Sequence, residues 1–61
     1  MPFVHVELYP GRTPEQKAEC ARAITEAIHK HLNAPPSATQ VVFTDVKKED
    51  WFTGDKIPPP K

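Results

Sequence analysis

At 61 residues the chain has room for one domain, and a fold this small buries only about 60 % of its unfolded surface, which leaves it marginal alone. Eight lysines and arginines balance eight acidic residues, so there is no electrostatic footprint for nucleic acid or an anionic membrane. The single Cys20 excludes an intrachain disulfide, no Cys/His ligand set suggests a metal, and no apolar run matches a signal-peptide core or a spanning helix.

These exclusions predict a soluble, cytoplasmic single domain over residues 1–61. Oligomerisation is the remaining way to stabilise so small a fold. The chain opens Met1-Pro2. Initiator methionine is usually trimmed before a small residue such as proline, and trimming would expose a secondary amine at Pro2. An unperturbed α-amino group titrates at about 7.7–8.0, and a general base works best with a pKa near the operating pH. The ordinary alternative is a proline that starts a strand, where a missing N–H costs nothing. With Met1 retained, Pro2 is a tertiary amide and cannot act as a base.

Residues 3 to 9 alternate strictly, with Val4, Val6 and Leu8 on one face and Phe3, His5, Glu7 and Tyr9 on the other. That is a period-two strand, ended by the turn Pro10-Gly11. Thr13 then caps a helix, Pro14 suits its first position and Gln16 completes a capping box. Ala21, Ile24, Ile28 and Leu32 form one apolar stripe. The spacing predicts a helix from Pro14 to Leu32 with Asn33 as a left-handed cap, stopped by Ala34-Pro35-Pro36-Ser37. A second strand is predicted over Thr39–Asp45; its run Val41-Val42-Phe43 fits a strand covered on both faces.

Strand, helix and strand make a βαβ unit with parallel strands and a right-handed crossover. Two strands and one helix cannot close a core, so another subunit is expected to extend the sheet. Beyond Lys47-Lys48-Glu49-Asp50, Trp51 to Asp55 reads as a short turn or hairpin, and Ile57-Pro58-Pro59-Pro60 as a stiff extended tail. The tail and its two aromatics either dock onto another subunit or cover one end of their own sheet.

Met1-Pro2, a strand, Gly11-Arg12-Thr13-Pro14-Glu15-Gln16-Lys17 opening a helix, Ala34-Pro35 after it and Trp51-Phe52-Thr53-Gly54 near the end together resemble the 4-oxalocrotonate tautomerase family. The resemblance runs from Pro2 to about Gly54 and lies in the order and spacing of the motifs. It implies a β-α-β protomer that dimerises into a four-stranded sheet, three dimers forming a hexamer. It also implies cofactor-free tautomerisation of small unsaturated or enolisable carboxylic acids. Pro2 matches the family's catalytic proline, Arg12 its carboxylate-binding arginine, and Trp51 a phenylalanine that walls the site. Gln40 stands where the best-known members carry a second arginine, supplied by a neighbouring subunit. A glutamine donates a hydrogen bond but no charge, and charge-assisted bonds are roughly twice as strong as neutral ones. The expected substrate is therefore a monoacid or a phenylpyruvate-like enol rather than a dicarboxylate dienol.

Other residues carry weaker readings. Arg12 sits in a loop at a helix N-terminus, where a cation and free N–H groups favour an anion; the plain alternative is a solvated arginine. His5 is expected to pack or to lie at an interface. His29 and His31, two apart on a helix, do not share a face, and Cys20 is expected to be small, inert and buried. Tyr9 is a possible substrate contact or a rim residue. Among Glu7, Asp45, Glu49 and Asp50, Asp50 beside Trp51 is the candidate for activating water. That chemistry would make the protein a hydratase or dehalogenase of small unsaturated acids. Retention of Met1 would instead leave a non-catalytic assembly module.

Overall fold

A computed structural model describes residues 2–60. Strand β1 (Phe3–Leu8) leads into helix α1 (Pro14–Leu32) and strand β2 (Gln40–Asp45), with single 3-10 turns at Pro36–Ala38, Lys48–Asp50 and Gly54–Lys56. The two strands are parallel, in register from Phe3 opposite Gln40 to Leu8 opposite Asp45. The ladder continues one step past each end: the Gln40 N–H donates to the Pro2 carbonyl at 3.0 Å, and the Val46 N–H to the Leu8 carbonyl at 2.8 Å.

The helix has the predicted bounds because its ends are set locally. The Thr13 hydroxyl accepts from the Gln16 N–H at 3.1 Å, while the Gln16 side chain accepts from the Thr13 N–H at 2.9 Å. At the other end Asn33 takes φ 58° and donates its N–H to the His29 carbonyl. His29 Nδ1 shares a 3.1 Å hydrogen bond with the Ala34 carbonyl, which ties the helix end to the following loop. Strand ends are fixed less locally, and each strand falls one residue short of expectation, at Tyr9 and at Thr39.

One face of the sheet is covered. Val4, Val6, Leu8, Val41 and Phe43 are half-buried, as are Ala21, Ile24 and Ile28 on the helix. Lys17, also half-buried, bonds Asp45 at 2.9 Å and ties the start of α1 to the end of β2. The other face is open. Phe3, His5 and Glu7 lie beside Gln40, Val42 and Thr44, all exposed, with Phe3 61 % and Val42 41 % accessible. The run Val41-Val42-Phe43 is thus covered on one face within the protomer, because the single helix supplies a single layer. Cys20, expected to be buried, is exposed. Over Trp51–Asp55 the chain takes the turn rather than the hairpin, and Ile57 and the three prolines after it lie exposed without regular structure.

No described residue is fully buried. The accessible surface is 5172 Å², against about 4,000 Å² for a compact monomer of this mass. The radius of gyration is 15.6 Å, where a compact chain of this length has about 10.5 Å. The excess surface lies on the open sheet face and along the tail. No described helix is long and apolar enough to cross a membrane.

Candidate active site

The predicted site residues fall into two groups at opposite ends of the strand pair. Pro2 and Gln40 occupy the end where both strands begin. Pro2 is half-buried, and its carbonyl is held by the Gln40 N–H. The Gln40 side chain is exposed, lies on the open face beside Phe3, and makes no hydrogen bond within the described residues. From Asn33 to Phe43 the chain carries no charged residue, so this end of the open face is uncharged.

Tyr9, Asp50 and Trp51 come together where the strands end, and Arg12 follows in the loop that leaves β1. Gly11 has φ 126°, a backbone conformation that a side chain would strain, and Thr13 two residues later is fixed as the helix cap. Arg12 is held between them, exposed and without an ion-pair partner among the described residues. The Tyr9 and Trp51 rings meet edge-on, with centroids 4.9 Å apart and an interplanar angle of 61°. Glu7, Val46, Asp50, Trp51 and Phe52 line an open cleft of about 230 Å³ on this end of the sheet. Two carboxylates therefore share one concavity with an aromatic wall.

The distance between the groups follows from strand geometry. Seven steps from Pro2 to Tyr9 at about 3.3 Å each span roughly 23 Å, and Arg12 lies beyond Tyr9. A small acid cannot touch Pro2 and Arg12 of the same chain. If both act on one substrate, two chains must bring opposite strand ends together.

His5 does not join either group. It shares a 2.8 Å hydrogen bond with the Thr44 hydroxyl in the middle of the open face, where a covering subunit would meet it. Asp45 is engaged by Lys17. Among the described residues no three His, Cys, Asp or Glu side chains are grouped to hold a metal ion. Lys48, to which the sequence assigns no role, has its ammonium 5.6 Å from the centroid of the Tyr9 ring.

The profile of a family described as tautomerase enzymes matches residues 2–59. A probable tautomerase of Lactococcus lactis subsp. lactis is 51 % identical over 57 residues, covering 93 % of each chain. TomN, a 4-oxalocrotonate tautomerase homologue in the tomaymycin biosynthetic pathway, superposes with a TM-score of 0.81 at 36 % identity, over 87 % of this chain and 82 % of its own. A heterohexamer 4-oxalocrotonate tautomerase from Chloroflexus aurantiacus gives 0.80 at 30 % identity, over 88 % and 87 %. With a matching profile, close relatives and a shared parallel β-α-β fold, all spanning nearly its whole length, the chain belongs to the 4-oxalocrotonate tautomerase family.

Proposed function

We propose that the protein is a cofactor-independent isomerase that interconverts enol and keto forms of a small 2-hydroxy-unsaturated or 2-keto acid, with Pro2 as general base and then acid. The observation that carries this reading is the position of Pro2. It lies half-buried at the start of the sheet, and among the described residues its one hydrogen bond is through its carbonyl. That bond leaves the ring nitrogen free of any structural duty. As a terminal secondary amine, the nitrogen takes the proton from the enol hydroxyl and returns it to carbon, so no electron leaves or enters the substrate. Removal of Met1 is a condition of this chemistry; Met1 lies outside the described residues.

Arg12 of a second chain anchors the substrate carboxylate, Trp51 with Tyr9 supplies the apolar wall, and Gln40 faces the far end of the substrate without charge. The assembly is a homo-oligomer, and a hexamer is the form the Chloroflexus relative suggests. It places strand starts of one chain against strand ends of another. The test is enol-to-keto conversion of phenylenolpyruvate by wild type and Pro2→Ala. A positioned general base contributes about 10²–10⁴ in rate, so the variant should fall by about 10²-fold; equal rates remove Pro2 from the mechanism.

The cleft favours one further reading. Asp50 lines it with Glu7 and Trp51, where a carboxylate can activate water for addition to an unsaturated acid. Halide release from a 3-haloacrylate that disappears in Asp50→Asn would support hydration; no release by wild type would rule it out.

A further inference from the structure

We propose that Lys48 is a second carboxylate-binding residue, acting with Arg12 on the same substrate carboxylate. The inference rests on the tautomerase reading for its substrate and on separate geometry for its residue. Lys48 to Asp50 form a 3-10 turn, closed by the Trp51 N–H on the Lys48 carbonyl at 3.1 Å. Lys48 and Trp51 both lie against the Tyr9 ring, which puts them on one side. Tyr9 completes the block: its ring meets Trp51 edge-on, and the Lys48 ammonium stands 5.6 Å from its centroid. A cation over an aromatic face is attracted by the ring quadrupole, so this charge is steadied against the wall of the candidate site.

The charge is also uncommitted. Although Glu49 and Asp50 follow directly, the ion pairs among the described residues are Lys17 with Asp45 and Arg22 with Glu19. Arg12 and Lys48 therefore bring positive charge without an ion-pair partner among the described residues to the end where the strands finish, beside the Glu7 and Asp50 carboxylates of the cleft. The end holding Pro2 and Gln40 presents no positive charge on the open face. Lys30 at the last turn of α1 is two residues from the sheet-facing Ile28, about 200° around the helix, and points away. A site assembled from these two ends holds one carboxylate firmly and leaves a neutral far side.

The test uses the purified oligomer. For phenylenolpyruvate, Lys48→Met keeps an aliphatic cover over Tyr9 and removes the charge. It should raise KM about fivefold, the upper range for an exposed ion pair, with kcat nearly unchanged and a weaker salt dependence of kcat/KM. Lys48→Arg should restore both. A second measurement needs no variant: saturating phenylacetate should slow acetylation of Lys48 in wild type, read by peptide mass spectrometry, while Lys47 reacts as before. Unchanged KM and salt dependence in Lys48→Met overturn the proposal, as does equal acetylation with and without phenylacetate. Pro2→Ala run in parallel separates the two ideas. A large rate loss there beside an inert Lys48→Met sinks this inference alone. Protection of Lys48 in a protein indifferent to Pro2→Ala sustains it and sinks the proline mechanism.

Discussion

Val42→Asp probes the open sheet face. Val42 sits at the centre of that face, opposite His5 in the ladder, with 41 % of its surface still accessible in the protomer. Covering the remainder contributes about two-fifths of a full valine burial, roughly 0.6–1.2 kcal/mol. An aspartate there loses this and must also be desolvated without a partner, which costs several kcal/mol more. The sum, about 4–5 kcal/mol, is as large as the whole stability of a domain this size, about 3–9 kcal/mol. The protomer's surface exceeds that of a compact monomer by about 1,200 Å², of which this face holds a part and the tail the rest. Assembly and folding should therefore be lost together. Light scattering on a sizing column and far-UV circular dichroism, at equal protomer concentration, read both. Val42→Ile is the control and should keep the wild-type mass. A Val42→Asp protein with wild-type mass and helicity would show that this face stays open, and would refute the argument.

Thr13→Ala removes the hydroxyl that accepts from the Gln16 N–H and should cost about 1 kcal/mol in urea unfolding; Thr13→Ser should recover most of it. A loss below about 0.2 kcal/mol would mean that the capping box contributes little here. Gln40→Arg adds a cation to the uncharged end beside Pro2. It should raise kcat/KM for 2-hydroxymuconate about tenfold relative to phenylenolpyruvate, the difference of about 1.4 kcal/mol between a charge-assisted and a neutral hydrogen bond. An unchanged ratio would remove Gln40 from specificity.

The helix was legible to the residue because its signals are local: Thr13, Pro14 and Gln16 at one end and Asn33 at the other act on backbone within a turn. The strands were legible in kind and nearly in extent, since alternation at Val4, Val6 and Leu8 needs only one covered face. Val42 was harder to place. A continuous apolar run raises the expectation of cover on both faces, and does not say which cover comes from the same chain. Cys20 is exposed rather than buried, because it flanks the sheet-facing stripe of Ala21, Ile24 and Ile28 instead of lying within it.

For the candidate site, the sequence offers residue types and not their grouping. Pro2 and Arg12 stand ten residues apart in sequence, yet a fully extended strand lies between them. The length of β1 already implied that one chain could not bring them together. Lys48 escaped notice because a Lys-Lys-Glu-Asp run usually marks a solvated surface. Only the contact of both Lys48 and Trp51 with Tyr9 gives it a direction.

If the Pro2 nitrogen is the base, the pH dependence of kcat/KM must report its titration. The profile is measured with phenylenolpyruvate from about pH 5 to 9, on protein whose intact mass shows the loss of Met1. A base must be unprotonated in the free enzyme, so kcat/KM should rise with pH through one titration near neutrality, and that limb should shift or vanish in Pro2→Ala. Full turnover by protein that still carries Met1, or an identical profile in Pro2→Ala, would contradict the account.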